Sequence, residues 1–272
     1  MPVATRPFLA RIERFASVGS TNDVVKAWLR DGTAEVCVAI ADEQTAGRGR
    51  DGRPWVAPPG AALLLSAGFR PTWLRPERAW RLSASVSCAM AEAAEAVTGL
   101  PTGTIGLKWP NDLVTMDGDA ATIRKLGGVL GESEGLGTDG ARVVVGIGVN
   151  ADWPASAFPR ELAATMTSLR EAARAPVDTE RLAHTFLDRL EGWIERLRDG
   201  AFGARPWAAR QVTTGREVHL QAGDDVSRSR ARSVDPETGA LVIEDPTAPG
   251  RQRFVHAGEI VHVRLTTPDS GV

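Results

Sequence analysis

Short apolar stretches, separated by glycine, proline and charged residues, dominate the first half of the chain. Continuous runs of this length are typical of buried strands, and alternating ones of half-buried strands. The segments that predict strands are residues 8–15, 36–40, 63–69, 105–108, 125–132 and 142–149. Because strands outnumber helices in this region, the sequence predicts an α/β (α+β) fold. We expect a mixed β-sheet with helices on one face rather than a doubly wound Rossmann sheet.

Helical signals are confined to three segments. Residues 20–23 (STND) offer N-cap chemistry ahead of an apolar stripe, which predicts a short helix. Residues 77–97 are rich in alanine and free of proline, so they predict a long central helix. Residues 161–198 also read as helical, with an apolar stripe formed by Leu182, Phe186, Leu190, Trp193 and Leu197.

The pattern changes after Val212. Apolar alternations at residues 218–220, 241–243 and 260–263 are separated by Gly, Asp and Pro turns, which predicts a small β domain. A unit of about fifty residues buries little surface alone, so we expect it to dock on the rest of the chain. The sequence therefore predicts a main domain over residues 1–211 and a small β domain over residues 212–272.

Composition excludes several classes of protein. The formal net charge of −2 gives no reason to expect nucleic-acid binding. Cys37 and Cys88 stand far apart, so neither a disulfide framework nor a zinc site is expected. No apolar run approaches the roughly 20 residues of a membrane span, and the first residues lack the pattern of a signal peptide. These features predict a cytoplasmic protein that does not contact membranes.

Residues 47–55 (GRGRDGRPW) crowd arginine and glycine together. Glycine lets the backbone approach a ligand closely, and guanidinium groups match carboxylate and phosphate oxygens. The spacing also fits G-x-G-x-x-G, but Pro54 and the prolines after it cannot continue as the helix that a dinucleotide fingerprint requires. The segment indicates either a solvated basic loop or a cationic loop over an anionic ligand.

Three further segments carry polar groups at strand ends. Residues 108–113 (KWPNDL) place Lys108, Asn111 and Asp112 at a turn, although ordinary turn chemistry explains such residues equally well. Residues 124–132 set a lysine before two glycines, a pattern that also fits a bulged strand. Residues 143–150 alternate small and branched residues, which leaves one face open to a flat ligand or to a tightly packed helix.

Lysine is rare in this chain. Only three of the 32 basic residues are lysine, namely Lys26, Lys108 and Lys125. Because arginine is used almost everywhere else, a lysine indicates a position where a compact ammonium group is required. This favours specific roles for the two lysines in the segments above.

Taken in order, these segments resemble the biotin–protein ligase family, in the form without an N-terminal DNA-binding domain. The resemblance runs from Ser20 to Asn150, and the arginine-rich loop together with KWPND is its most specific part. It implies an α/β catalytic domain followed by an SH3-like domain. It also implies an enzyme that adenylates biotin with ATP to biotinyl-5′-AMP and transfers biotin to a lysine of a carrier protein.

The resemblance implies overlapping sets of site residues. The implied biotin ligands are Ser20, Thr21, Asn22, Gln44, Gly47, Arg48, Gly49, Arg50 and Lys125. The implied ATP ligands are Arg48, Arg50, Arg53, Trp55, Lys108, Asn111 and Asn150. Among these, Lys125, Arg50 and Lys108 are implied to be catalytic, and Asp112 is implied to hold Mg²⁺.

The implied protein partner is a biotin carboxyl carrier domain of an acyl-CoA or pyruvate carboxylase, with the enzyme a monomer or a weak homodimer. The nearest alternative is a lipoate–protein ligase of the same catalytic fold. A biotin-sensing repressor is disfavoured, since a strand near Phe8 leaves no room before it for a DNA-binding domain. A non-catalytic biotin-binding module would not need the phosphate-side lysines and arginines. Asp51 and an insertion at residues 117–122 depart from the family pattern.

Overall fold

A seven-stranded mixed sheet forms the centre of the computed structural model, which describes residues 7–116, 122–222, 225–248, 250–257 and 262–265. Its strands are β1 (Arg11–Phe15), β2 (Cys37–Ala41), β3 (Ala62–Phe69), β4 (Ile105–Lys108), β5 (Asp112–Met116), β6 (Ile123–Glu134) and β7 (Arg142–Asn150). They lie in the order β1-β2-β3-β7-β6-β5-β4. Only β1 and β2 pair in parallel among these neighbours, so the mixed sheet expected from the sequence is confirmed.

Helices cover both faces of this sheet. The helices are α1 (Thr21–Arg30), α2 (Trp80–Thr98), α3 (Leu169–Ala173), α4 (Thr179–Arg198) and α5 (Ala204–Ala209). The long helices α2 and α4 pack together on one face, as predicted, and the apolar stripe of α4 is buried there. The sequence predicted helices on one face only, whereas α1 packs on the opposite face, where Val25 and Leu29 meet Val144 of β7. The functional cavity described below opens on this α1 side.

Most predicted elements are observed, but several differ from the prediction. The helical segment expected over residues 161–198 is divided, because Arg174 adopts a left-handed conformation that ends α3 and Asp178 then caps α4. Strand β1 begins at Arg11 rather than at Phe8, and β5 occupies residues that the sequence predicted as turn. Most of the insertion at residues 117–122 lies outside the described residues.

A second, antiparallel sheet follows near the C-terminus. It is built from β8 (Glu217–Ala222), β9 (Asp225–Val234), β10 (Leu241–Glu244), β11 (Gln252–Val255) and β12 (His262–Leu265), in the order β11-β10-β9-β8-β12. This sheet docks on the first, as expected: the indole Nε1 of Trp109 donates to the Gly239 oxygen at 3.0 Å. Arg81, at the start of α2, donates to the Pro236 oxygen at 2.9 Å.

A buried ion pair lies near the connection between the two sheets. The guanidinium of Arg210 contacts both carboxylate oxygens of Glu95 at 2.8 Å, and both side chains are less than a tenth exposed. This hydrogen bonding raises the pKa of Arg210 above its usual value. Arg210 also donates to the Ile105 oxygen at 2.9 Å, so the pair anchors the chain between α5 and β8 to the end of α2 and the start of β4.

The two cysteines lie in the core rather than at a reactive surface. Both are free and buried, and burial raises the pKa of the thiol to about 11 for Cys37 and to about 12 for Cys88. A thiol with such a pKa is protonated at neutral pH, so neither cysteine supplies a nucleophile.

We expect Glu95→Leu to lower the free energy of unfolding by about 3 kcal/mol, because it leaves the Arg210 guanidinium buried without its partner. The double variant Glu95→Leu/Arg210→Met removes the unpaired charge and should recover much of the loss. Urea unfolding measures both, with Arg30→Met as a control at an exposed ion pair. A Glu95→Leu protein as stable as the wild type would contradict this assignment.

Candidate active site

A cavity of about 320 Å³ opens on the α1 side of the main sheet. The start of α1, the loop between β2 and β3, and strands β6 and β7 surround it. Twelve predicted ligands line it together: Ser20, Thr21, Asn22, Gln44, Arg48, Gly49, Arg50, Arg53, Trp55, Asn111, Lys125 and Asn150. Residues that are far apart in sequence thus meet in one place, and their roles as ligands remain predictions.

Three predicted residues lie outside this lining. Gly47 allows the two ends of the loop to approach closely, since a Cβ at this position would come within 2.6 Å of the Trp55 carbonyl oxygen. Lys108 and Asp112 line an adjoining cavity of about 470 Å³ instead. Arg50 and Asn111 border both cavities, so the two spaces meet at these residues.

The first cavity has a polar end without a formal charge. Gln44 Oε1 accepts a hydrogen bond from the Thr21 backbone N–H at 2.7 Å and lies 3.0 Å from the Thr21 hydroxyl. Ser20 occupies the N-cap position of α1, as predicted, but its side chain makes no capping hydrogen bond. Gln44 therefore satisfies a helix-terminal N–H that Ser20 leaves free. Such groups suit a neutral ligand with both donors and acceptors.

Two glycines on β7 leave space for the side chains that line the cavity against this strand. A Cβ on Gly146 would lie 2.2 Å from Asn22 Oδ1, and a Cβ on Gly148 would lie 2.6 Å from the Trp55 ring. The sequence predicted that this face of the strand is open to a flat group. In the structure the indole of Trp55 lies there, and its buried Nε1 has no hydrogen-bond partner among the described residues.

Positive charge gathers at the other end of the cavity. Lys125 Nζ lies 2.7 Å from Asp112 Oδ1 and 5.6 Å from the centre of the Trp55 ring. Lys108 Nζ approaches the same carboxylate at 4.0 Å, so Asp112 lies between the two lysines. With Arg50 and Arg53 nearby, the cations exceed the acids, and the site favours an anionic ligand.

Two arginines of the loop are tied to other parts of the molecule. Arg48 donates to Asp23 Oδ1 at 2.6 Å, which lowers the pKa of Asp23 and raises that of Arg48. Arg50 donates to the oxygen of Ala257, two residues after β11 of the C-terminal sheet, at 2.6 Å, and burial lowers the pKa of Arg50. Asp51 has a positive φ of 57°, a conformation that Asp tolerates better than most residues. This local geometry accounts for the acid in an otherwise basic loop.

Sequence reasoning missed several residues that shape the cavity. Ser66 contacts both Thr21 and Asn22, and its only signal was a polar residue inside the apolar run 63–69. Asp23 holds Arg48 and Glu132 holds Asn22, yet neither was predicted to act at the site. The outer lining also includes Trp153 and Leu162, which follow β7.

Two features are absent from the described parts of the chain. No group of three or more His, Cys, Asp and Glu side chains is placed to hold a metal ion. No helix among these residues is long and apolar enough to cross a membrane.

Comparison with known proteins agrees with this architecture. The model of the biotin/lipoate A/B protein ligase family matches residues 15–150. The biotin–[acetyl-CoA-carboxylase] ligase of Mycobacterium tuberculosis is 34% identical over 259 residues, covering 93% of this chain and 90% of that protein. The enzyme of the same name from Paracoccus denitrificans is 32% identical, covering 81% and 88%. The chain therefore belongs to the biotin/lipoate A/B protein ligase family.

Among solved structures, the biotin protein ligase of Aquifex aeolicus in complex with biotin and ATP resembles this chain throughout. The TM-score is 0.76 at 25% sequence identity, and the match covers 94% of this chain and 99% of that one. Because both sheets are included in this coverage, the predicted fold class, a mixed-sheet catalytic domain with a small C-terminal β domain, is confirmed.

We expect Gly148→Ala to destabilise the protein by about 1–3 kcal/mol, because the added methyl group overlaps the Trp55 ring. In a Trp55→Ala background the same substitution should cost much less. Thermal unfolding of the four proteins measures this coupling. Gly19→Ala is the control, since a Cβ there meets nothing within 4 Å. Equal costs in the two backgrounds would show that the indole does not lie on Gly148.

Proposed function

We propose that this chain is an ATP-dependent biotin–protein ligase, which joins biotin to AMP and then transfers biotin to a lysine of a carrier protein. One observation carries the proposal: a single cavity has a neutral hydrogen-bonding end and a strongly cationic end. Biotin has a matching shape, with a neutral ureido ring at one end and a carboxylate at the other. The family and the activity named for the two bacterial relatives support the same conclusion.

The first step requires two anions to react. A carboxylate oxygen of biotin attacks the α-phosphorus of ATP, a new O–P bond forms, and the bond to the bridging oxygen breaks to release pyrophosphate. Two unit charges about 4 Å apart repel by about 4 kcal/mol at an effective dielectric constant near 20. Fixed cations offset this repulsion and stabilise the charge that develops in the transition state. No nucleophile from the protein is needed.

We assign that stabilisation to Lys125, Arg50 and Lys108. Lys125 lies between the cavity and Asp112, so its ammonium group has a fixed position from which to contact the biotin carboxylate and the α-phosphate. Arg50 borders both cavities and serves the phosphates from the loop side. Lys108 faces the second cavity, and we assign it to the departing pyrophosphate.

The nucleotide binds, in this proposal, next to the biotin carboxylate. The remaining assigned ligands are Arg53, Trp55, Asn111 and Asn150, and the flat Trp55 indole is a stacking surface for adenine. Asn111 and Asn150 each donate to a backbone oxygen at 2.9 Å, so their amide orientations are fixed. The head group of biotin contacts the polar end at Ser20, Thr21, Asn22 and Gln44, beneath the loop that contains Gly47, Arg48 and Gly49.

Mg²⁺ fits the phosphate side of this site only as an ion brought by the nucleotide. Among the carboxylates that line the second cavity, Asp112 is the one beside Lys108 and Lys125, and one carboxylate with phosphate oxygens and water is a normal ligand set for Mg²⁺. When bound, the ion neutralises phosphate charge. Asp112 also holds Lys125, so its carboxylate orients a cation of the protein whether or not it contacts the metal.

The second step joins biotin to the carrier. The neutral amine of the carrier lysine attacks the carbonyl carbon of biotinyl-AMP, AMP leaves, and the amine gives up a proton as the amide forms. The relatives are named for acetyl-CoA carboxylase, and we propose a biotin carboxyl carrier domain of an acyl-CoA or pyruvate carboxylase as the partner.

Three further features remain predictions. They are the oligomeric state (a monomer or a weak homodimer), the cytoplasmic location, and the domain boundary at residues 211 and 212.

Biotin-dependent exchange of labelled pyrophosphate into ATP tests the adenylation step. We expect exchange with biotin and a reduction of at least about a hundredfold in Lys125→Ala, a loss typical for a group that stabilises transition-state charge. Arg30→Ala provides a control at another basic residue, because Arg30 belongs to an exposed ion pair and lines neither cavity described above.

Lipoate is the control acid in the same assay, since the family also includes lipoate ligases. Exchange with lipoate but not with biotin would transfer the assignment to that activity. Absence of exchange with either acid would contradict the proposed enzyme.

A further inference from the structure

Lys26, the one lysine without a place in the proposed reaction, lies behind the polar end of the cavity. Its Nζ contacts Glu132 Oε1 at 2.5 Å, and the other carboxylate oxygen accepts a hydrogen bond from Asn22 Nδ2 at 2.6 Å. The two ionic side chains are only 21% and 30% exposed. An ion pair therefore adjoins the cavity wall at the end that is lined by the uncharged side chains of Thr21, Asn22 and Gln44.

Hydrogen bonds continue from this ion pair into the cavity. Asn22 Oδ1 lies 2.5 Å from the Ser66 hydroxyl, which lies 2.7 Å from the Thr21 hydroxyl. The Thr21 hydroxyl lies 3.0 Å from Gln44 Oε1, and that oxygen already accepts from the Thr21 backbone N–H. These three contacts between oxygens share only the two hydroxyl protons of Ser66 and Thr21. One of the contacts therefore has no proton between its oxygens, and which one it is depends on the direction in which the two hydroxyl groups donate.

The carboxylate of Glu132 decides the direction. An ionised carboxylate only accepts hydrogen bonds, so Asn22 must turn its NH₂ group toward Glu132 and its oxygen toward Ser66. Ser66 then donates to Asn22 at 2.5 Å, and the Thr21 proton goes to the shorter of its two contacts, the one with Ser66 at 2.7 Å. This leaves the Thr21 hydroxyl oxygen and Gln44 Oε1 3.0 Å apart with no proton between them.

We propose that Glu132, held by Lys26, is a positioning residue that makes the polar end of the cavity an acceptor for a ligand N–H. Two oxygens without a proton between them repel each other, and an N–H placed against both relieves the repulsion. A cyclic urea supplies such a donor, so the arrangement selects the ureido ring. This inference rests on the proposed biotin ligase function and extends it to the origin of head-group specificity.

Glu132→Gln is the direct test, because the amide has the same shape and is able to donate. With a glutamine, the chain of hydrogen bonds can run the other way, so that Thr21 donates to Gln44 and the acceptor pair is lost. Ser66→Ala breaks the chain at the next link and should have the same effect. Glu134→Gln on the same strand is the control, since Glu134 pairs with the arginines Arg30 and Arg142 at the surface.

Calorimetry measures the dissociation constants of biotin and of the two analogues in which one ureido N–H is replaced by a ring oxygen. The wild type and Glu134→Gln are expected to bind one analogue at least about tenfold more weakly than biotin, as expected for one lost hydrogen bond. Glu132→Gln and Ser66→Ala should both largely remove this preference. Ser66→Ala should also leave ATP binding unchanged, because Ser66 lies outside the second cavity, which Glu132 lines.

The outcomes separate the inference from the function on which it rests. A wild type that does not bind biotin would refute the proposed function. If the wild type binds biotin and folded Glu132→Gln and Ser66→Ala keep the full preference, the inference is wrong. An equal weakening of biotin and both analogues would assign Glu132 a purely structural role and overturn the inference as well.

Discussion

The site depends on two glycines of β7, positions where any side chain would overlap a neighbouring group. Gly146 makes room for the Asn22 amide, and Gly148 makes room for the Trp55 indole, at distances that leave no space for a Cβ. With any larger residue, the start of α1 and the arginine-rich loop could not both approach the same face of the strand. The cavity is therefore a consequence of where the sheet lacks side chains, and the loop and helix supply its chemistry.

The charges around this cavity are arranged by distant parts of the chain. Asp112 on β5 holds Lys125 on the neighbouring β6, while Asp23 on α1 holds Arg48 of the loop. Arg50 donates to the backbone of Ala257, so the segment after β11 contributes to the position of the same loop. Each cation is thus placed before a ligand arrives, which reduces the reorganisation needed when charge develops on a transferring phosphorus.

Much of the fold followed from local signals in the sequence, whereas the supporting contacts of the site did not. Apolar runs and the proline-free segment predicted most strands and helix α2, because burial and periodicity are properties of neighbouring residues. The partners of Asn22 were not predictable: Ser66 is 44 residues away and Glu132 is 110 residues away. Strand β5 was missed because Asn111 and Asp112 favour turns in isolation, and pairing with β4 and β6 overrides that preference.

A crystal structure with biotin and a non-hydrolysable ATP analogue would show directly where the two substrates bind. We expect the biotin carboxylate to lie within hydrogen-bond distance of Lys125 Nζ. We also expect the ureido ring to contact Thr21 and Gln44 and the adenine to stack on Trp55. Biotin bound instead in the second cavity beside Lys108, with its carboxylate away from Lys125, would contradict the proposed site and the chemistry assigned to it.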